Sequence, residues 1–228
     1  MEQGMGMTGE GKLRAVIFDL DGVIVSTDEF HYRAWQKLAD EEGIYFDRTI
    51  NERLRGVSRM ESLAILLESA VRDYTEGEKL VLAARKNGYY RQFLDTAVSS
   101  ADILPGVMPF LEACKAAGIK IAVGSSSRNS PTILERIGLT DYFDATADGN
   151  DIANSKPHPE VFLLAAERLG VPPGECMVVE DAEAGVAAAV AAGMKCLAVG
   201  SAAGDPRAAL SAASLETVRW QRCQGLFE

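Results

Sequence analysis

The stretch AVIFDLDGVIV, residues 15–25, sets one apolar run around two carboxylates, Asp19 and Asp21. The apolar part has the composition of a buried strand, yet ionised acids are costly to desolvate unless something pairs with them. Residues i and i+2 of an extended segment point to the same side, so the two acids can face one point. The residues leave two readings open. Either an Asp-Gly turn closes a strand, or a pair of acids holds a cation and does chemistry.

Similar short runs lie at 14–19 (RAVIFD), 119–124 (IKIAVG), 143–148 (FDATAD), 176–181 (CMVVED) and 195–200 (KCLAVG). Between them, amphipathic helical patterns cover 107–117, 130–137, 159–169 and 183–192. Strands alternating with helices predict right-handed βαβ units, so the fold class is α/β with a Rossmann-like parallel-sheet core. Residues 27–96 break this alternation. EFHYRAWQKLADEEG puts Phe30, Ala34, Leu38 and Ala39 on one helical face, and MESLAILLESAV and EKLVLAARKNGYYRQFL carry the same period. So long a helical segment exceeds a simple crossover and predicts an inserted α-helical cap domain. The expected division is a flexible tail (1–11), a discontinuous core (12–26 and 97–228) and the cap (27–96).

Composition bounds the partners. The chain of 228 residues is 47% hydrophobic and 25% charged, with a formal net charge of −10. That balance fits a globular protein and opposes a nucleic-acid binder, which needs a basic stripe. A local positive site for a small anion remains open. Cys114, Cys176, Cys196 and Cys223 form no CxxC pair, and they read as reduced thiols rather than a disulfide or metal framework. The start MEQGMGMTGEGK has no cationic region followed by an apolar one, so it is not read as a signal peptide. No run approaches a membrane span. The expectation is a cytoplasmic monomer acting on small molecules, with neither nucleic acid nor membrane as partner.

In an open parallel sheet, ligands bind beyond the carboxyl ends of the strands. Sorting polar residues by that rule gathers Asp19 and Asp21, the run GSSSRN (124–129), Lys156 of SKPHPE, and Glu180 with Asp181. Asp19, Asp21 and Asp181 suit a hard cation such as Mg²⁺, which prefers oxygen ligands and works with substrate phosphate. A carboxylate there can attack phosphorus and form an aspartyl-phosphate, while a second acid moves the hydroxyl proton. Ser125 and the N–H groups of Ser126 and Ser127 suit a phosphate cradle, but also plain N-capping of the next helix. Lys156 suits a transferring phosphoryl group, or is a solvated loop lysine. His31 and Trp35 lie at i and i+4, a spacing equally suited to packing.

The order DLDGV, Ser125 at a strand end, SKP and then ED resembles the haloacid dehalogenase superfamily over the whole chain apart from the tail. HYRAW (31–35), LRGVSR (54–59) with Ser62, RKN (85–87) and SSSRN (125–129) are similar to the pattern of its sugar-phosphate mutases. That resemblance implies interconversion of β-glucose 1-phosphate and glucose 6-phosphate through a bound bisphosphate. It implies Asp19 as nucleophile and Asp21 as general acid and base. Mg²⁺ is implied on Asp19, the Asp21 backbone carbonyl and Asp181, with Glu180 nearby. Ser125 and Lys156 are implied at the transferring phosphoryl group, and Arg59, helped by Ser127 and Asn129, at the other phosphate. His31 and Lys86 are implied around Asp21 and the sugar. Trp35, Gly56, Val57, Ser58 and Ser62 would shape the cap side, with Ser126 also in the substrate set, and Thr27 would be the hinge.

Four positions depart from the pattern: Ser26 stands where an acid is common, Arg55 and Arg128 replace lysines, and Ser126 replaces an alanine. None removes a catalytic group. A phosphatase on the same core is the alternative, since it needs no second phosphate site. A non-catalytic sensor is opposed by Asp19 and Asp21, because binding alone needs no nucleophile.

Overall fold

The computed structural model describes residues 12–55 and 57–228. The expected tail, 1–11, and the expected role of Gly56 therefore lie outside the described residues. The chain enters through β1 (Ala15–Phe18) and leaves it for four helices: α1 (Asp28–Glu42), α2 (Arg48–Glu52), α3 (Arg59–Leu67) and α4 (Glu76–Ala97). It then alternates through α5 (Val107–Ala116), β2 (Lys120–Gly124), α6 (Ser130–Arg136), β3 (Ala145–Ala147), α7 (Glu160–Leu169), β4 (Cys176–Glu180), α8 (Glu183–Ala191) and β5 (Lys195–Ala198). All five expected strand runs and all four expected core helices form. A two-residue strand, β6 (Leu210–Ser211), extends the sheet beyond β5. Nothing in its polar, alanine-rich surroundings signalled it.

The sheet runs β3-β2-β1-β4-β5-β6, and every neighbouring pair is parallel. Side chains alternate across it with the period of two that a strand imposes. Val16 and Phe18 join one apolar layer with Val107, Phe110 and Leu111 of α5. Ala15 and Ile17 join the other with Val161 and Phe162 of α7 and Val186 of α8. Burial on both faces explains the unbroken apolar runs, and each fully buried large side chain contributes about 1.5–3 kcal/mol. The register pairs Phe18 with both Val123 and Val179. Asp19, Gly124 and Glu180 consequently leave three adjacent strands at one level. Strand order reverses at β1, the position where parallel sheets open a crevice.

The inserted helices carry a core of their own, built from Trp35, Leu38, Leu63, Leu66 and Leu82 among others. Capping boxes start α3 at Ser58–Glu61 and α4 at Thr75–Glu78. The foot of the insertion packs differently: Ala34, Tyr90 and Leu94 belong to the sheet-side layer, not to the helical core. α1 and α4 thus stand on the sheet's apolar layer while the rest of the insertion folds around itself. Among the described residues, no helix is long and apolar enough to cross a membrane. Cys114, Cys176, Cys196 and Cys223 are all buried and unpaired, and burial pushes the Cys223 thiol up to about 11.

Candidate active site

Between the sheet rim and the inserted helices lies a cavity of about 560 Å³. Its floor is the turn that follows β1. Gly22 adopts φ +86°, a conformation that L side chains rarely take. A Cβ there would also stand 2.1 Å from Asp181 Oδ2, so the turn can lie against that carboxylate only because residue 22 is glycine. The Asp-Gly turn is present, and beside it Asp19 is buried while Asp21 is partly exposed to the cavity. Asp19 follows β1 directly, its N–H donating to Val179 O at 3.0 Å.

Lys156 reaches into this floor with 1% of its surface exposed, which removes the solvated-loop reading. Its ammonium donates to Asp19 Oδ1 and Glu180 Oε1, each at 2.6 Å. The other Glu180 oxygen, Oε2, accepts the N–H groups of Asp181 at 2.7 Å and Ala182 at 2.8 Å. Both Glu180 oxygens are therefore engaged, and the residue anchors Lys156 and the turn after β4. Gly185 lets it lie there, since a Cβ at 185 would meet Glu180 Oε1 at 1.8 Å. Asp19, Glu180 and Asp181 each offer a ligand atom within 4.8 Å of the others, a set of hard oxygens that fits one divalent cation. Burial raises Asp19 to about 6 and Asp181 to about 8. Lys156 opposes the rise at Asp19, and neighbouring carboxylates add to it at Asp181.

Asp21 points toward the inserted helices. It accepts the Thr27 N–H at Oδ1 (2.6 Å) and the Thr27 hydroxyl at Oδ2 (2.7 Å). With the Thr27 proton so committed, the Tyr90 hydroxyl is the donor in its 2.8 Å contact with Thr27 Oγ1. Thr27 stands at the N-cap of α1, yet its side chain does not cap the helix. That forgoes about 1 kcal/mol of capping in favour of Asp21. Burial, then the charge of Asp28, raises Asp21 to about 7. His31 Nε2 lies 3.7 Å from Asp21 Oδ2, and the Lys86 ammonium lies 2.9 Å from His31 Nδ1. Desolvation, then the charges of Lys86 and Arg59, holds His31 well below its usual range. A neutral ring accepting from Lys86 at Nδ1 carries its proton on Nε2, facing Asp21. Lys86 itself is buried, with Trp35 and Tyr90 rings 4.7 and 4.9 Å from its nitrogen.

The serine run sits beside this floor. Ser125 Oγ accepts the Ser127 N–H at 3.2 Å, Ser126 Oγ accepts the Lys156 N–H at 3.3 Å, and Ser127 Oγ accepts the Asn129 N–H at 3.2 Å. The N-capping alternative fails, because Asn129 holds the N-cap of α6 without a capping bond. Its amide instead donates to Asn87 Oδ1 on α4 at 3.0 Å. Arg128 donates from Nε to Gly149 O at 3.1 Å. Arg59, at the first turn of α3, has no carboxylate partner among the described residues; Glu61 is taken up by the capping box. Desolvation and then the Arg128 charge push the Arg59 guanidinium below its ordinary value. Two like charges near one another in a concave site favour an anion between them.

Asp19, Asp21, Ser125, Lys156, Glu180 and Asp181 all line the cavity, as do His31, Trp35, Val57, Ser58, Arg59, Ser62, Lys86, Ser126, Ser127 and Asn129. Thr27 does not line the cavity; it is fully buried behind Asp21, to which it donates. Trp35 and Ser62 are almost wholly buried, so packing and site roles coincide there. Sequence reasoning missed Asp28, Asn87 and Tyr90 and gave Arg55 no role. Asn87 and Arg55 sat inside the quoted RKN and LRGVSR runs; Asp28 and Tyr90 carried no local signal.

A family model for haloacid dehalogenase-like hydrolases matches residues 13–193. The chain is 47% identical over 196 residues to a beta-phosphoglucomutase of Bacillus subtilis, covering 85% of each. It is 34% identical to a phosphorylated carbohydrates phosphatase of Thermotoga maritima, covering 80% of this chain and 83% of that one. The crystal structure of beta-phosphoglucomutase from Clostridium difficile superposes with a TM-score of 0.88 at 41% identity, covering 94% of this chain and 97% of that one. With its parallel sheet, inserted helices and rim of acids, the chain belongs to the haloacid dehalogenase-like hydrolase family.

Proposed function

We propose that the chain is an isomerase that interconverts β-glucose 1-phosphate and glucose 6-phosphate through β-glucose 1,6-bisphosphate, in the manner of the Bacillus subtilis relative. The observation that carries the reading is the arrangement of cations. Lys156 bonds Asp19, with Ser125 lining the same cavity; a second group there, Arg59 and Arg128 with Asn129, has no carboxylate partner among the described residues. A bisphosphate that must turn round and react at either end needs both.

Asp19 attacks phosphorus through a carboxylate oxygen, and the bond to the sugar oxygen breaks as that oxygen takes a proton from Asp21. The return step reverses this: Asp21 takes the proton of the sugar's other hydroxyl, whose oxygen displaces Asp19. Lys156 fixes the Asp19 carboxylate by its 2.6 Å bond and offsets charge on the phosphoryl oxygens. Mg²⁺ held by Asp19, the Asp21 carbonyl and Asp181 would supply charge neutralisation at the transferring group. Glu180 supports this set by holding Lys156. His31 and Lys86 orient Asp21 and the sugar hydroxyls, and the cap, with boundaries at 27 and 96, excludes water as it closes about Thr27.

The test supplies β-glucose 1-phosphate, Mg²⁺ and a trace of bisphosphate, with glucose 6-phosphate read by a coupled dehydrogenase. Free phosphate in place of glucose 6-phosphate sinks the mutase reading and favours the activity named for the Thermotoga maritima relative. Arg59→Ala separates the two further. Mutase flux should fall far more than hydrolysis of a small phosphate ester, and equal losses would assign Arg59 to folding.

A further inference from the structure

Arg55 belongs to the segment between α2 and α3, yet it reaches the catalytic floor. Its Nη2 lies 2.9 Å from Asp181 Oδ2 and 2.7 Å from Asp28 Oδ2, and its Nη1 lies 3.8 Å from Glu52. The contact with Asp181 joins residues 126 apart in sequence, one on the inserted helices and one on the sheet rim. Asp181 is 5% exposed, and it is one of three acids close enough to share a cation. A carboxylate that holds a divalent cation and one that holds a guanidinium serve opposed ends, because each cation weakens the field available to the other.

We propose that Arg55 competes with the metal for Asp181, so that metal occupancy and the position of the cap are coupled. With Arg55 on Asp181 the segment carrying it is drawn onto the rim. Metal on Asp181 releases the guanidinium to Asp28 and Glu52 and frees the cap to move. By reciprocity, whatever holds the cap down through Arg55 weakens the metal by the same factor. Asp28 sets the balance as the alternative partner beside the hinge. This inference rests on reading Asp19, Glu180 and Asp181 as the surroundings of a metal site.

Calorimetric titration of chelator-treated protein with Mg²⁺ tests it. Arg55→Gln keeps length and polarity but loses the charge, and it should tighten Mg²⁺ about fivefold, the worth of a partly screened ion pair. Arg59→Gln removes a cation from the same cavity that pairs with no carboxylate among the described residues, and so measures the through-space effect alone. Arg55→Gln should exceed it at least twofold. Asp28→Asn should weaken Mg²⁺ binding, and that loss should vanish in the Asp28→Asn, Arg55→Gln double variant. Spin labels on α4 and α7 should report a cap–core distance that shifts with Mg²⁺ in the wild type and stays fixed in Arg55→Gln. Equal affinities in wild type and Arg55→Gln, or equal effects of Arg55→Gln and Arg59→Gln, overturn the competition. Failure of every form to bind Mg²⁺ overturns the metal reading and the competition with it.

Discussion

Replacing Lys156 by Met gives the sharpest account of what holds the site together. Met keeps most of the side-chain volume beside the Phe162 ring, which lies 4.6 Å from the Lys156 nitrogen, so packing is largely preserved. What is lost is one ammonium shared by two carboxylates at 2.6 Å each, all but out of contact with water. Breaking a buried ion pair from one side leaves an uncompensated charge and costs about 3–5 kcal/mol. For a chain of this size each kcal/mol moves the melting temperature by about 2–4 °C, so the expected fall is about 6–20 °C. The fall depends on pH in a defined direction. Asp19 already stands at about 6 in the fold, above the usual aspartate value, and Lys156 is what restrains it. An acid with a raised folded pKa binds more protons folded than unfolded, so its penalty is absent at low pH and grows as pH rises through the folded value. Removing Lys156 raises that value further. The deficit of Lys156→Met should therefore be largest near pH 8 and shrink toward pH 5, where Asp19 is protonated in both proteins. Melting curves in chelator at the two pH values measure it. A deficit under 2 °C at pH 8, or one that widens toward pH 5, would falsify the description of Lys156 as the charge holding these acids.

Asp19→Asn should lower turnover by roughly 10⁴-fold or more, since an amide is a poor nucleophile; a melting curve confirms the fold, and turnover near wild type would remove Asp19 from its role. Gly22→Ala forces a left-handed conformation, costing about 1–2 kcal/mol, and drives a methyl into the Asp181 carboxylate at 2.1 Å. It should lower the melting temperature and abolish calorimetric Mg²⁺ binding, and a variant matching wild type in both refutes the account of the turn. Mg²⁺ affinity should climb between pH 6 and 8, because Asp19 at about 6 and Asp181 at about 8 must lose protons to serve as ligands. Titrations in buffers of different ionisation enthalpy should show proton release near pH 7; an affinity flat with pH and no release counts against these shifts.

Much of this architecture was legible because its signals are local. Strand β4 is CMVVE, five buried residues, and α7 shows an apolar stripe at helical spacing, so periodicity alone located both. The rim residues followed from one topological rule, that chemistry gathers where parallel strands end. β6 was not legible, being two residues held by pairing with Leu197 and Ala198 rather than by any preference of Leu210 or Ser211. The same limit hid Tyr90 and Asp28. Tyr90 sits in a helix whose pattern reads as packing, and its hydroxyl gains meaning only from Thr27, 63 residues away. Glu180 shows the limit in another form. Sequence places it near the metal set beside Asp181, and only the three-dimensional network shows that its oxygens also accept from Lys156 and two backbone N–H groups.

A phosphatase and a mutase can share the floor of this site, so the distinction falls on what the inserted helices add. Hydrolysis needs water at the aspartyl-phosphate, whereas isomerisation needs the sugar's second hydroxyl there and water kept out. On the proposed reading both reactions use Asp21 to move a proton, and its carboxylate is bound through both oxygens by Thr27, at the first residue of the path into α1. Thr27 in turn is fixed by Tyr90 on α4, the helix by which the chain returns to the sheet. A rotation of α1 against α4 therefore cannot leave Asp21 untouched, because both donors to its carboxylate belong to the residue that would turn. On the proposed reading, proton transfer is tied to the cap by that pair of bonds. The helix cap that α1 forgoes at Thr27 is then explained by function rather than by stability, since a Thr bonded to its own helix would leave Asp21 free of the cap's position.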